Sequence, residues 1–219
     1  ELAVDRVVLH LVGEVVGVGR DIHDGDDVDL PLALAQQPLV AEGLEHHAAD
    51  PADAAIAPKF FDAATAAARL PRHRAQLWIA GGDFAANHDQ WQQAVDAFAR
   101  VLADRESRDV LITAPSGTSM PAWQRAFNSI QFAISRKDRD IYARYDQQAA
   151  DALRKARAGN AQDAEAFIEI GRQFPNSTSA PAAMLQGARI LEDHKQYRPA
   201  ADLLRRMYQL QPTGELAPQ

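Results

Sequence analysis

Residues 184–212 read MLQGARILEDHKQYRPAADLLRRMYQLQP, and residues 78–102 read WIAGGDFAANHDQWQQAVDAFARVL. Laid over one another, the two stretches keep one set of spacings. Trp78 and Gly82 stand four apart, Trp91 follows nine later, and Ala94, Phe98 and Leu102 come at three, four and four. Met184, Ala188, Tyr197, Ala200, Leu204 and Tyr208 repeat those steps. Steps of three and four keep residues on one helix face. The gap of nine crosses a break, which in the first copy is Asn87-His88-Asp89. Each copy therefore predicts two helices joined by a tight turn. Gly82 and Ala188 on the first helix, and Ala94 and Ala200 on the second, are small enough to let two backbones approach. Phe98 and Leu204, one turn later, fill the wedge left between them.

This pattern resembles the tetratricopeptide repeat, a helix–turn–helix unit of about 34 residues written W-x2-L-G-x2-Y…A-x3-F…P. It departs from that pattern at Gly81 and Gly187, where Leu is usual, and at Ala85 and Leu191, where Tyr is usual. A middle unit is carried by Ala152, the turn Gly159-Asn160, the pair Ala164 and Ile168, and Pro175. Ala126 and Ile130 fit the second helix of a further unit. The first half of that unit, residues 109–120, holds Pro115 and Gly117 and is expected to be an irregular loop. The resemblance covers residues 75–212. It implies an all-α fold, a short TPR-like helical-hairpin solenoid. The run FPNSTSAPAAMLQGARILEDHKQYRPAADLLRRMYQLQP at residues 174–212 is also similar to the repeats of bacterial envelope proteins, namely the outer-membrane assembly lipoprotein BamD and the periplasmic coordinator of the Tol-Pal system. Residues 116–206 are more faintly similar to helical repeats attached to PQQ-type β-propellers.

The resemblance implies a non-enzymatic scaffold that binds a peptide or partner protein, in a bacterial periplasm or cell envelope, with the cytoplasm as the alternative compartment. The second reading is a helical-repeat module of a larger, propeller-containing, quinoprotein-like protein. In such arrays the first helix of each unit lines the concave side. The groove then falls to Gln76, Ile79, Asp83 and Asn87 in one unit and to Leu185, Arg189, Glu192 and Asp193 in the last. Ile79 and Leu185 would be apolar anchors, and the polar residues would hydrogen-bond an extended peptide. The competing expectation is a groove that is solvated or filled by the N-terminal segment. Leu203, Met207, Tyr208 and Leu210 are expected to leave apolar surface near the C-terminus, for further repeats or for a docked partner.

The composition points the same way. Among 219 residues there are 43 alanines, and alanine is the best helix former. Helices are expected over 58–69, 73–86, 90–103, 121–135, 138–157, 161–173, 180–193 and 196–209. There is no cysteine, which excludes disulfide frameworks, thiolate metal sites and cysteine nucleophiles. The net charge is −7, and residues 1–50 alone contribute −9. An acidic head beside a nearly neutral body argues against the basic patch or stripe that nucleic-acid binding requires, so no nucleic acid is expected as partner. No apolar run approaches ~18 residues, so no membrane span is expected. The chain opens on Glu1 rather than Met, and is expected to be processed, truncated or partial. The organisation read from these shifts is an acidic segment at 1–52, a repeat domain at 53–212 and a tail at 213–219. Within the first, Val4, Val7, Val8, Leu11, Val12, Val15 and Val16 make a helical stripe, yet valine favours strand and Gly13, Gly17 and Gly19 weaken a helix. Both structures stay open there.

Few residues suggest chemistry. The loop DIHDGDDVD at residues 21–29 spaces carboxylates two apart, which can wrap a hard cation. It supplies a third reading, a metal-dependent enzyme using this loop. Against it, Gly25 comes too early for an EF-hand, and no Glu follows before Glu42. His46 and His47 are adjacent and diverge by ~100° on a helix. His10, His23, His73, His88 and His194 form no zinc spacing. The run PSGTS at residues 115–119 is no nucleophile elbow. Gly81-Gly82 lacks the spacing and the Lys of a phosphate loop. Trp78, Trp91 and Trp123 read as core residues. No catalytic residue, metal ligand or cofactor is expected.

Overall fold

The computed structural model describes residues 61–62, 64–113 and 117–210. The acidic segment 1–52, its loop at 21–29 and the tail 213–219 lie outside these residues. The described chain is all-α, with one two-stranded hairpin. Residues 61–62 and 64–67 are helical. Then come α1 (Pro71–Asn87), α2 (Trp91–Ala103), a one-turn α3 (Arg105–Arg108), β1 (Leu111–Thr113) and β2 (Ser119–Pro121). Next are α4 (Ala122–Lys137), a 3-10 turn (Arg139–Tyr142), α5 (Ala143–Ala158), α6 (Ala164–Gln173), α7 (Ala180–Asp193) and α8 (Tyr197–Leu210). The chain divides into two compact units, with the boundary between Arg125 and Ala126.

The starts of these helices follow from local chemistry. Pro71 lies in the first turn of α1, where its missing N–H costs nothing, and Leu70 before it is extended. The Asp163 carboxylate accepts from the Glu165 and Ala166 amides, so α6 begins at Ala164 rather than three residues earlier. Asp104 caps α3 by accepting from the Glu106 amide. The stretch 109–120, expected as an irregular loop, instead carries an antiparallel ladder. It pairs Leu111 with Pro121, Ile112 with Met120 and Thr113 with Ser119. Ile112 is buried while Leu111 and Thr113 are exposed, the alternation of a strand with one covered face. Gly117, just before β2, is left-handed at φ +79.

In the first unit, α1 and α2 pack as an antiparallel pair, with α3 against both. Gly82 decides how near they come: a Cβ there would lie 2.5 Å from Phe98 Cε1. Ala94, Val95, Val101 and Leu102 are fully buried. Phe61 rests on Gly81 and on the Phe84 ring, 6.1 Å between centroids. In the second unit, α7 packs between α6 and α8. A Cβ at Gly187 would meet Ile168 Cγ1 at 3.0 Å, and one at Gly171 would press on Met184. Ala188 and Ala200 are buried at 1% exposure each.

The two hairpin turns are built alike. Both use left-handed residues, Asp89 at φ 58 and Lys195 at φ 60. Gln90 N donates to Ala85 O and Gln196 N to Leu191 O, both at 2.8 Å. Asp89 N donates to Ala86 O, as Lys195 N does to Glu192 O. His88 N donates to Phe84 O and His194 N to Ile190 O, and the next helices open with Ala94 N to Gln90 O and Ala200 N to Gln196 O. The first two bonds in each turn are the Schellman pair that closes a helix on a left-handed residue.

Candidate functional site

The α1 residues proposed to face a partner share one side of that helix only in part. Gln76 and Asn87 are exposed and Asp83 is half-buried. Their spacing of seven and four places them within about 40° of one another. Ile79 turns ~60° inward from that line, and at 8% exposure it belongs to the core rather than to an anchor on the surface. Asp83 is engaged: Arg125 Nη2 donates to both of its carboxylate oxygens, at 2.9 and 3.0 Å. Sequence spacing had no signal for Arg125, which lies 42 residues away and belongs to α4. On α7, Leu185 is half-buried and Arg189, Glu192 and Asp193 are exposed. The two quartets lie in different compact units, and each belongs to its own helix.

Trp91 and His88 make local contacts at the first turn. Trp91 Nε1 donates to Asp89 Oδ1 at 2.8 Å across the first turn. His88 Nδ1 lies 2.8 Å from Phe84 O, and its ring is tilted 30° against that of Phe84, 4.2 Å between centroids. Trp78 is half-buried.

Two polar clusters hold loops in place. At the start of α3, Arg74 donates to Asp104 and Glu106, both at 2.9 Å, while Ser107 Oγ reaches Asp104 at 2.7 Å and Pro71 O at 3.0 Å. Burial acts to raise the Asp104 carboxyl, but hydrogen bonds from Ser107, Arg74 and the Glu106 amide outweigh it and hold the group below the ordinary carboxylate range. In the second unit, Asp146 takes Arg139 through two nitrogens, at 2.8 and 3.1 Å, and the Thr178 amide at 2.9 Å. Arg139 Nη2 also donates to Asn176 O, and buried Asn176 Nδ2 donates to Phe127 O at 3.1 Å. The Pro175-Asn176-Ser177 break is thus bolted from both sides. Nearby, burial pushes the Tyr142 phenol far above its usual range, with Asp146 and Tyr145 adding to the shift.

Among the described residues, no cluster of His, Cys, Asp and Glu could hold a metal ion, and no helix is long and apolar enough to cross a membrane. The chain matches no family model, no curated protein and no solved structure.

Proposed function

We propose that this chain is a non-enzymatic helical-repeat scaffold of the tetratricopeptide type, which binds an extended segment of another protein along the first helices of its hairpins. One observation carries the reading. The α1–α2 and α7–α8 turns rest on the same backbone bonds, each pair of bonds standing 106 residues apart, as Gln90 and Gln196 do. That offset also relates Gly82 to Ala188 and Ala94 to Ala200, all four of them buried. A sequence period and a hydrogen-bond period that coincide are what a repeated supersecondary unit requires. The exposed amides of Gln76 and Asn87, and the charges of Arg189 and Glu192, suit the backbone and side chains of an extended peptide. A setting in a bacterial cell envelope rests on the resemblance of residues 174–212 alone.

The test is a random peptide display library selected on the full chain, followed by titration of the enriched peptides. Binding is expected to weaken at least tenfold, about 1.4 kcal/mol, in Gln76→Ala/Asn87→Ala or in Arg189→Ala/Glu192→Ala, with melting temperatures unchanged. If no peptide is enriched, or if the enriched peptides ignore both double variants, the groove reading is lost.

A further inference from the structure

The outer face of α8 is uncovered where its counterparts are not. Tyr197, Ala201, Leu204 and Tyr208 are spaced four, three and four, so they form one stripe along the helix. Tyr197 is 65% and Tyr208 64% exposed, and Leu204 is half-buried. The neighbouring residues Leu203, Met207 and Leu210, expected to share this surface, are instead buried. The residues of α2 that stand 106 earlier are Trp91, Val95, Phe98 and Leu102. Val95 and Leu102 are fully buried and Phe98 nearly so. On α6 the place of Leu204 is taken by Ile168, which is covered by a following helix, with Gly187 against Ile168 Cγ1. The fold therefore indicates what fits such a stripe: a helix with a small residue at the point of closest approach. Charge adds a second requirement. Arg198 and Arg205, seven residues apart and both exposed, line one edge of the stripe by helical spacing; Arg205 pairs with Asp202 at 2.7 Å, so this edge keeps one excess positive charge. An acidic flank on the incoming helix would complement it.

We propose that this stripe is a docking face for an amphipathic helix of another protein, carrying a glycine or alanine opposite Leu204 and acidic residues beside Arg198 and Arg205. It lies apart from the groove residues assigned above, so either reading can fail without the other.

The absence of cysteine from the chain gives a clean probe. Gln209→Cys, at the edge of the stripe, is labelled with an environment-sensitive fluorophore in the full chain. The ligand is a synthetic peptide with the sequence of α7, residues 179–194, whose glycine and acidic C-terminal end meet both requirements. A saturable blue shift is expected. It should weaken at least tenfold when the peptide's own glycine, the counterpart of Gly187, is replaced by Leu, and again when Tyr208→Asp is introduced into the protein. Tyr208 is exposed, so circular dichroism melting should be unchanged. Four results overturn the proposal: no shift, equal binding of the Gly and Leu peptides, binding that survives Tyr208→Asp, or a dimer in sedimentation that Tyr208→Asp dissolves. A label already blue-shifted without peptide, and red-shifted on deleting residues 211–219, overturns it in favour of the chain's own tail.

Discussion

Glycines with similar clearance differ in what their neighbours can do about it. A Cβ at Gly82 would collide with the Phe98 ring, which is rigid and nearly fully buried. A Cβ at Gly171 would collide with Met184, whose unbranched thioether can swing to another rotamer. Gly82→Ala is expected to destabilise by about 1–3 kcal/mol, the usual range for overpacking. Gly171→Ala shares with Gly82→Ala a helix-propensity gain of up to about 1 kcal/mol, and should cost less only by the relief that rotating Met184 Cγ, 2.4 Å from the new Cβ, can give. Urea unfolding of both variants measures the difference, and equal losses would show that the Phe98 contact is not what limits the approach of α1 to α2. The two left-handed turn residues make a second contrast. Neither Asp89 nor Lys195 is glycine, and each sits where a Cβ costs about 1 kcal/mol. Lys195→Gly should therefore stabilise by up to about 1 kcal/mol. Asp89→Gly should gain less, because it also removes the acceptor of the Trp91 indole. Thermal melts of the two single variants give that order or contradict it.

At the scale of elements, the cap on α3 links fold to pH. The Asp104 carboxyl is held below its ordinary value in the folded protein. Its contribution is therefore present above the unfolded pKa, near 3.9, and is lost as pH falls through the lower folded value. Asp104→Asn keeps a capping oxygen but loses the charge that pairs with Arg74, and should lower stability at neutral pH by up to about 1 kcal/mol, the range of a partly exposed ion pair. It should also flatten the loss of stability between roughly pH 5 and pH 2. Melting temperatures of both proteins across that interval provide the check, and parallel curves would remove Asp104 from the account. The same cluster marks where sequence reading reached and where it stopped. Strongly periodic segments were legible almost to the residue: 180–193 was expected and Ala180–Asp193 is found, 90–103 was expected and Trp91–Ala103 is found. A single helix expected over 138–157 is a 3-10 turn followed by α5, because Asp138 adopts φ 85 and its carboxylate takes the Arg139 amide. The β1–β2 ladder was missed because each strand has three residues and the apolar pattern is too short to show a period. Of the proposed groove, the exposure of Gln76 and Asn87 could be read from helical phase. The inward turn of Ile79 and the pairing of Asp83 with Arg125 could not, since both depend on packing between residues far apart in sequence.

For the whole molecule, the division between Arg125 and Ala126 predicts that the two units resist opening separately. In chains assembled from hairpins, each element is stabilised chiefly by its immediate neighbours, so damage at one point stays near it. Gly82→Leu drives a side chain into the Phe98 ring between α1 and α2. Gly187→Leu drives one into Ile168 and the Ala164 carbonyl between α6 and α7. Hydrogen exchange read by mass spectrometry on the intact chain should distinguish them. The first variant is expected to lose protection over Pro71–Ala103 while Ala164–Leu210 keeps that of the wild type; the second should do the reverse. Each affected region should exchange at least tenfold faster, because adding several heavy atoms to a closed contact costs more than the 1.4 kcal/mol that a factor of ten represents. If either substitution speeds exchange equally through both regions, the chain opens as one cooperative body. A partner helix bound at α8 would then stabilise α1 and α2 as strongly as it stabilises α7. If protection is lost region by region, a ligand on the α8 stripe should slow exchange within residues 126–210 and leave α1 and α2 as they were.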